Sequence, residues 1–432
     1  MKSQFPFVMR APELTSTASY NSCFAEGIHM RSLIRTIHDT HISATSSMAG
    51  VAAAAALMLF GCVAEGTSDS DASPAEVSGC QGSTLYELPS YDQPGPWPVG
   101  VRTLSVQGLT VEVFYPGKRG SEAGKQRVSY DLRAWLPAAE RDKIPDEAAP
   151  SQQCDCHRDL ELDDIRGPYP VVFFIHGTAA FRTQSLAQLT HWASRGFIVV
   201  SADHPNIFLG DALQLKLGAN QAGDVRTIAA ALRAAQDGFD FLNGRADLSQ
   251  MAATGHSAGG SACKSLGDID GMRVLMPMAA GGVDPAKPVD STLVLLGDAD
   301  ITVAPDNTIE GYETSVGNKR LVALAGAGHL VFSQLCEIAG DAGDLYSLAL
   351  QWDITIPPGT GPLFKQLATD GCLPGQFKGV AATPIINRVT SAVLEETLRC
   401  QALEPDPLAG IAESDPNVSR YERDAPNPAG ED

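Results

Sequence analysis

The amino-acid sequence of 432 residues predicts an α/β fold with a mostly parallel, doubly wound central sheet flanked by helices. Two observations predict this class. Strand-like and helix-like segments alternate between Gln81 and Gln401 at the spacing of βαβ units. Pro170–Ile175 is apolar at every position, as in a parallel strand covered on both faces. In open α/β sheets the site lies at the carboxyl ends of the strands, so the residues that follow each predicted strand are searched for it below.

The predicted elements follow one another along the chain in that order. Two β-rich runs in Thr103–Tyr115 are divided at Gly108, and Val128–Leu136 is a third candidate strand. A polar, proline-containing insertion, Pro137–Pro168, comes next. The later predicted strands are Pro170–Ile175, Phe197–Ala202, Met251–Thr254, Val274–Met278, Thr292–Leu296 and Leu321–Leu324. The predicted helices are Leu186–Arg195, Asp224–Leu242, Ala258–Leu266 and Thr390–Cys400.

An export signal is predicted near the N-terminus. Met48–Phe60 is an uninterrupted apolar run, but a bilayer span needs roughly 20 helical residues, so the run is too short to cross a membrane. It has the length of the apolar part of a signal peptide, and Arg31 and Arg35 supply positive charge before it. We therefore predict that residues 1–61 form a signal peptide that is removed. A buried core helix is the alternative.

The cysteine after this run predicts a lipid anchor. Leu59–Cys62 resembles a bacterial lipobox, in which the cysteine is lipidated and becomes the mature N-terminus. Cys62 would then anchor an exported lipoprotein to the cell envelope, with plain secretion as the alternative. Because the stretch before the apolar run is long for a signal peptide, the true start is expected at Met30 or Met48.

The two ends of the exported chain differ in composition from its body. Residues 62–80 are rich in small and acidic residues without apolar periodicity and are predicted to be a flexible tether. Residues 403–432 hold five prolines and eight acidic residues against two arginines, which predicts a disordered acidic tail. One folded domain is expected over residues 81–402.

The charge balance excludes several partners. The chain has 31 basic and 51 acidic residues, a formal net charge of −20. This balance argues against nucleic acid, whose phosphates require clustered Lys and Arg. It equally disfavours adsorption to anionic lipid through a polybasic face. Contact with a membrane is therefore expected only through the N-terminal lipid anchor.

Cysteine content agrees with export. Cys263 lies in a small-residue helix and is expected to be a buried free thiol. The other six cysteines after Cys62 could form three disulfides, with fifteen possible connectivities. Cys154-Asp155-Cys156 suggests a metal site with His157, but the sequence contains no second Cys/His cluster to complete it. No metal and no cofactor are therefore predicted. The remaining cysteines are Cys80, Cys336, Cys372 and Cys400.

A serine follows the predicted strand Met251–Thr254 in a sharp-turn motif. The chain there reads Gly-His-Ser-Ala-Gly-Gly over residues 255–260, which contains the Gly-x-Ser-x-Gly pattern of a strand–turn–helix elbow. The pattern alone is weak, and its place between an apolar strand and a small-residue helix carries the prediction. Ser257 is therefore the candidate nucleophile, with a tight structural turn as the alternative.

A serine nucleophile needs a base that takes its proton. In this architecture the acid and the histidine follow the serine in the chain. Of the nine histidines, only His329 follows Ser257. It lies just past the predicted strand Leu321–Leu324, beside glycines that let the ring reach across the sheet. His329 is the predicted general base.

Two aspartates compete for the role of the acid that orients the base. Both Asp298 and Asp300 follow the predicted strand Thr292–Leu296. Asp300 is favoured because a triad acid lies on the loop beyond its strand. Asp298 comes directly after Gly297 and is expected to bond to the turn backbone.

Acyl transfer also needs N–H donors for the developing oxyanion. The residue after the nucleophile, Ala258, supplies one backbone N–H. The second is expected from the loop that follows the strand Pro170–Ile175. Thr178 is favoured for this role, with Ala179 as the alternative.

Together these residues resemble the α/β-hydrolase superfamily. Within it they are similar to the branch of platelet-activating-factor acetylhydrolases, dienelactone-hydrolase-like proteins and bacterial polyester hydrolases. The resemblance covers about Thr103–Phe332, over half of the chain. The motifs that carry it are Val113–Pro116, Phe174–Thr183, Trp192–Val200, Asp203–Pro205, Gly255–Gly260, Gly297–Asp300 and Gly328–His329.

The resemblance implies an α/β-hydrolase fold and assigns roles to the site residues. It implies Ser257 as nucleophile, Asp300 as acid and His329 as base, with Thr178 and Ala258 as oxyanion donors. Dienelactone hydrolases proper use cysteine at the position of the serine, so their chemistry is not implied. The stretches 137–168 and 333–400 follow no family pattern and are expected to shape the substrate pockets.

The function expected from these features is a serine carboxylic-ester hydrolase that acts outside the cytoplasm through an acyl-enzyme. Its substrate would be a small-molecule, lipid or polymer ester. One alternative is a lipid-anchored binding protein with an inactive hydrolase fold, which the complete set of triad residues disfavours. The other is an acyltransferase or peptidase that uses the same triad.

Overall fold

The structure is a computed structural model, and it describes residues 73–216, 218–401 and 405–425. The predicted signal peptide, Cys62 and residues 62–72 of the predicted tether lie outside the described residues, as do both ends of the predicted tail. None of the helices in the described part of the chain has the length and apolar character to cross a membrane.

The described residues contain fourteen strands and eleven α-helices. The strands are β1 (Glu76–Ser78), β2 (Thr84–Tyr86), β3 (Val99–Val106), β4 (Leu109–Pro116), β5 (Ser129–Asp131), β6 (Ser151–Gln153), β7 (His157–Arg158), β8 (Tyr169–Ile175), β9 (Ile198–Ala202), β10 (Ala246–His256), β11 (Met272–Met278), β12 (Ser291–Gly297), β13 (Asn318–Leu324) and β14 (Val418–Asp424). The helices are α1 (Ala138–Arg141), α2 (Leu186–Ser194), α3 (Leu209–Ala212), α4 (Gln221–Arg233), α5 (Ala258–Cys263), α6 (Pro305–Thr314), α7 (Leu335–Ile338), α8 (Leu345–Gln351), α9 (Gly361–Thr369), α10 (Gly379–Leu398) and α11 (Ile411–Ser414).

Ten of these strands form one central sheet in the order β14-β13-β12-β11-β10-β8-β9-β4-β3-β7. The six strands from β13 to β9 in that order pair in parallel, whereas β4 and β14 pair antiparallel with their neighbours β9 and β13. Helices cover both faces of the sheet. The prediction of an α/β fold with a mostly parallel central sheet is confirmed.

The all-apolar strand β8 is explained by cores on both of its faces. Val172 and Phe174 pack in one core with α2 and α10, whereas Val171 and Phe173 pack in the other with α4. Successive side chains of a strand point to opposite faces, so a strand between two helical layers needs apolar residues at every position.

Several predicted elements differ from the observed ones. Val128–Leu136, predicted as one strand, forms only β5 before a 3-10 turn over Leu132–Trp135. The Asp131 side chain accepts a hydrogen bond from the Arg133 N–H at 2.9 Å, which caps this turn and ends the strand. The predicted terminal helix Thr390–Cys400 corresponds to the last part of the longer α10, which ends at Leu398.

The segments predicted as tether and tail contain secondary structure where they are described. Glu76–Ser78 pairs with β2, and β14 pairs antiparallel with β13, so the prediction of disorder is wrong for residues 405–425. The buried guanidinium of Arg320 attracts Glu396 of α10 at 2.8 Å and Asp406 of the tail at 3.6 Å. Composition averages charge over a segment and misses such specific pairing.

The cysteines form the three disulfides that the sequence predicts, and Cys263 is a buried free thiol, also as predicted. Cys154 pairs with Cys156 rather than with a metal. Three disulfides are typical of a protein from an oxidising compartment. Within the described residues, no group of His, Cys, Asp and Glu is arranged to hold a metal ion. The other two pairs are Cys80–Cys400 and Cys336–Cys372.

Candidate active site

Ser257 lies at the sharp turn between β10 and α5. Its backbone has φ 58° and ψ −120°, a region that L-residues rarely adopt. The flanking glycines make this turn possible: a Cβ on Gly255 would lie 2.5 Å from backbone atoms of Gly259, and one on Gly259 would lie 2.0 Å from the Ile175 oxygen. The turn therefore has the geometry of a nucleophile elbow.

The structure brings His329 together with Asp300. Nδ1 of His329 lies 2.8 Å from Oδ2 of Asp300, and both side chains are almost fully buried. The other carboxylate oxygen, Oδ1, accepts the N–H groups of Thr302 at 2.8 Å and Val303 at 2.7 Å. Because a carboxylate can only accept a hydrogen bond, His329 donates the Nδ1–H group to Asp300. The other ring nitrogen, Nε2, then carries a lone pair.

That lone pair is free to act as a base. Nε2 of His329 has no hydrogen-bond partner among the described residues. His329 and Ser257 line the same pocket, and the serine hydroxyl forms no hydrogen bond with Nε2 in the structure. Hydrogen bonds between catalytic groups often become short and aligned only when substrate binds.

Asp298, the competing acid, is engaged elsewhere. Its Oδ1 accepts the Gly326 N–H at 2.7 Å, which joins the loop after β12 to the loop after β13. Asp298 thus bonds to turn backbone, and the carboxylate that reaches His329 is that of Asp300.

In the loop after β8, the N–H of the pocket-lining residue Thr178 is left without an acceptor among the described residues. The N–H of Ala179 donates to the Ile207 carbonyl at 2.9 Å, and that of Gly177 donates to Oε1 of Gln184 at 2.9 Å. Within the described part of the chain, the N–H of Thr178 has no acceptor, and neither has that of Ala258. This pattern favours Thr178 over Ala179 as the second oxyanion donor.

A side chain at Gly177 is expected to disturb this loop. A Cβ there would lie 3.2 Å from both Nδ1 of His256 and Cβ of Ser257. Because shifts of well under 1 Å at reacting groups are costly, Gly177→Ala is expected to lower kcat about tenfold. Gly281→Ala is the matched control, since a Cβ at Gly281 meets nothing within 4 Å. Equal kcat values for the two variants in an ester-hydrolysis assay would contradict this reading.

The pocket beside Ser257 is large and apolar. Its empty volume is about 1090 Å³ including the open mouth, and leucine, isoleucine, alanine and aromatic side chains form most of its walls. The insertion after β5 contributes Ile144 and Pro150, and the C-terminal segment over 335–372, here called the cap, contributes the largest share. Both stretches that lack a family pattern therefore line this pocket.

The insertion and the cap are fastened to each other over the site. Nζ of Lys143 donates to the Asp353 carbonyl at 2.6 Å, and the Thr355 N–H donates to Oε2 of Glu140 at 2.7 Å. The Cys336–Cys372 disulfide closes the cap on itself. These links hold the pocket walls in place.

Asp370, at the end of the cap, is a site residue that sequence reasoning missed. This buried carboxylate accepts the N–H groups of Ile301 at 2.9 Å and Thr302 at 3.0 Å, so it supports the loop that carries the acid. Its backbone carbonyl accepts the Leu330 N–H at 2.7 Å, next to His329. No local pattern marks Asp370, because its partners are distant in sequence.

Buried neutral histidines predict a loss of stability in acid. Burial lowers the pKa of His176, His191 and His256 to about 3. Below pH 6.5 the unfolded chain therefore takes up protons that the folded protein refuses, and the free energy of unfolding falls as pH falls. Each histidine contributes a slope of up to about 1.4 kcal/mol per pH unit.

This prediction is tested by urea unfolding between pH 7.5 and pH 5. His191→Gln is a suitable variant because His191 does not line the pocket and its Nε2 bonds the Tyr91 carbonyl at 3.0 Å, which an amide can also do. The variant is expected to show a shallower decline of unfolding free energy with falling pH. A decline as steep as that of the unchanged protein would contradict the assignment.

Comparisons with known proteins agree with this geometry. The family model described as Platelet-activating factor acetylhydrolase, isoform II matches residues 86–207, and the Chlorophyllase model matches residues 161–295. The first range includes the loop of Thr178, and the second also includes Ser257. No curated protein matches the chain. The fold, the elbow and both matches make the chain similar to ester-cleaving hydrolases with an α/β fold.

Within this superfamily the chain is similar to the platelet-activating-factor acetylhydrolase branch, as its motifs predicted. Neither match reaches His329 or the cap. The substrate-facing walls of the pocket therefore lie largely outside the likeness.

Proposed function

We propose that the protein is an extracytoplasmic serine carboxylic-ester hydrolase that works through an acyl-enzyme. One observation carries the proposal: a buried histidine donates to Asp300 through Nδ1 and offers an unpartnered Nε2 to the same pocket as a serine on a strained elbow. Activation of a serine requires a base oriented in this way.

The reaction proceeds in two halves. Nε2 of His329 takes the proton of Ser257 as its Oγ attacks the ester carbonyl carbon, and the N–H groups of Thr178 and Ala258 stabilise the oxyanion. Asp300 holds the imidazolium that forms. The tetrahedral intermediate expels the alcohol, which receives the proton from His329. Water then attacks the acyl-enzyme with the same base, releasing the acid and Ser257.

The experiment that tests this mechanism is a rapid-mixing measurement with a p-nitrophenyl ester. An acyl-enzyme whose hydrolysis is slower than its formation gives a burst of p-nitrophenol close to one equivalent of enzyme. Adding an alcohol acceptor and an anilide substrate in parallel separates hydrolysis from acyl transfer and from peptidase activity. Binding of the ester without release of p-nitrophenol would support an inactive binding protein instead.

The lipid anchor is a separate part of the proposal. Three disulfides support an oxidising compartment, and Leu59–Cys62 resembles a lipobox. The full chain expressed in a bacterial host is expected to partition into detergent, and Cys62→Ala is expected to move it to the aqueous phase. Unchanged partitioning would refute the lipid anchor, and plain secretion would then be the remaining explanation of the signal peptide.

A further inference from the structure

The wall of the pocket that the cap contributes is almost entirely apolar. Helices α8 and α9 and the chain between them place side chains such as Leu345, Leu348, Ile354 and Phe364 along its wall. These residues lie beyond both family matches, so the likeness does not determine what they bind. The apolar wall of this site is therefore formed by residues that neither family match covers.

Among the described residues that line the pocket, no charged side chain is free to pair with an ionic substrate group. Among the described lining residues, Arg133 is the only one with a formal charge. Its guanidinium is already engaged by the carboxylates of Asp131 and Asp146 and by the Ile144 carbonyl. A substrate gains affinity in this pocket by burying hydrocarbon rather than by pairing charge.

We propose that the ester cleaved at Ser257 carries a long hydrocarbon chain, which lies against the cap. This inference rests on the ester hydrolysis proposed above. Each methylene transferred from water to an apolar wall strengthens binding by up to about fourfold. Specificity is therefore expected to rise with chain length, which disfavours short-acyl and small soluble esters as the main substrates.

Two substrate series test this proposal and identify which side of the ester enters the pocket. One series is p-nitrophenyl esters of C2 to C16 acids, and the other is acetate esters of C2 to C16 alcohols. We expect kcat/KM to rise in at least one series up to about C8 or beyond, by up to about fourfold per methylene. Values that peak at C2–C4 and fall in both series would overturn the proposal.

A matched pair of variants links the preference to the cap. Ala349 lines the pocket on α8, and Ala349→Phe is expected to lower the C12-to-C2 ratio of kcat/KM at least tenfold. The next residue, Leu350, is 54 % exposed and does not line the pocket, so Leu350→Phe should leave the ratio unchanged. Equal ratios in both variants would overturn the cap assignment. Absence of hydrolysis at every chain length, with no labelling of Ser257 by a fluorophosphonate, would instead refute the proposed function.

A second inference rests on a different observation, a buried line of hydrogen bonds that joins three loops of the site. The Gly177 N–H donates to Oε1 of Gln184 at 2.9 Å, and Nε2 of Gln184 lies 3.1 Å from Nδ1 of His256. Nε2 of His256 lies 2.9 Å from the backbone carbonyl of His329. This line of hydrogen bonds thus connects the loop after β8, here called the oxyanion loop, through the elbow at His256 to the backbone of the base, His329.

The donors in this line are fixed by its two ends. A backbone N–H can only donate, so the atom of Gln184 that faces Gly177 is its oxygen. The amide nitrogen of Gln184 then donates to Nδ1 of His256, and the proton of the His256 ring lies on Nε2, where it donates to the His329 carbonyl. Burial keeps His256 neutral by lowering its pKa to about 3.

We infer that Gln184 and His256 are positioning residues that keep the oxyanion loop and the base correctly placed relative to Ser257. Neither touches the reacting atoms through this line. Their effect is on the placement of Thr178 and His329, whose contribution appears in the transition state. Their loss should therefore lower kcat more than it changes KM.

A double-mutant cycle tests this inference. Gln184→Met and His256→Leu each break the line at similar side-chain size, and each is expected to lower kcat ten- to hundredfold with KM within about threefold. Because both break one line, the double variant should lose little more than the worse single variant. Multiplied losses, or a raised KM with unchanged kcat, would overturn the inference. If Gln184→Met does not fold, His256→Leu alone provides the same comparison of kcat with KM.

Discussion

Ser257→Ala is expected to lower kcat for ester hydrolysis by about 10⁴-fold or more. The substitution removes the Oγ that forms the acyl-enzyme and leaves the pocket and the oxyanion donors in place. Only the slow attack of water on bound ester remains. Initial rates with a p-nitrophenyl ester, followed over hours for the variant, measure the loss.

The control for this prediction is Ser261→Ala. Ser261 lies one turn later on α5 and its side chain is exposed, so the same deletion there should leave kcat within about twofold. Thermal unfolding of both variants confirms that they are folded. Turnover of Ser257→Ala at more than a few per cent of the unchanged enzyme would contradict the assignment of the nucleophile.

Asp300→Asn is expected to lower kcat by about 10³- to 10⁴-fold. Oδ1 of Asp300 accepts the N–H groups of Thr302 and Val303, so an asparagine must keep its oxygen on that side. Its NH₂ group then faces Nδ1 of His329 and forces that nitrogen to accept. The ring proton moves to Nε2, which can no longer take the proton of Ser257.

Asp298→Asn is the matched control, because the same change is made two residues away in the same loop. An asparagine oxygen can still accept the Gly326 N–H, so kcat is expected to stay within about threefold. The comparison decides between the two aspartates that the sequence alone leaves open. A larger loss in Asp298→Asn than in Asp300→Asn would contradict the pairing with His329.

The sequence predicts those parts of the molecule whose environment is reflected in local pattern. Strand β8 is apolar at every position because two helical layers cover it, and that pattern is visible without a structure. Ser257, Asp300 and His329 are found by their order after successive strands, since parallel strands bring their carboxyl ends to one edge. In both cases the topology of a parallel sheet explains how a local sequence pattern identifies residues whose partners are distant in the chain.

Other elements leave no such local pattern. Strand β14 is bonded through its backbone at the edge of the sheet, and charged side chains are common at such edges. Helix α10 contains Pro384, which interrupts the helical pattern of its first part. The cap helices α8 and α9 have no fully buried residue, and many of their apolar side chains line the pocket.

The positioning residues were missed for a related reason. Gln184 meets His256 across 72 positions of the chain, and Asp370 meets Thr302 across 68. Each acts through a backbone group or a neighbouring ring, so nothing near it in sequence marks its role. Such residues become visible only when the hydrogen bonds of the buried polar groups are followed from donor to acceptor.

The most direct test of the central claim is the site of modification by a fluorophosphonate, which reacts with an activated serine. We expect one equivalent to bind, and peptide mass spectrometry to place the added mass on Ser257. His329→Ala should slow the labelling by at least a hundredfold, because the hydroxyl then has no base. Labelling of another serine, or labelling of Ser257 at the same rate without His329, would contradict the account.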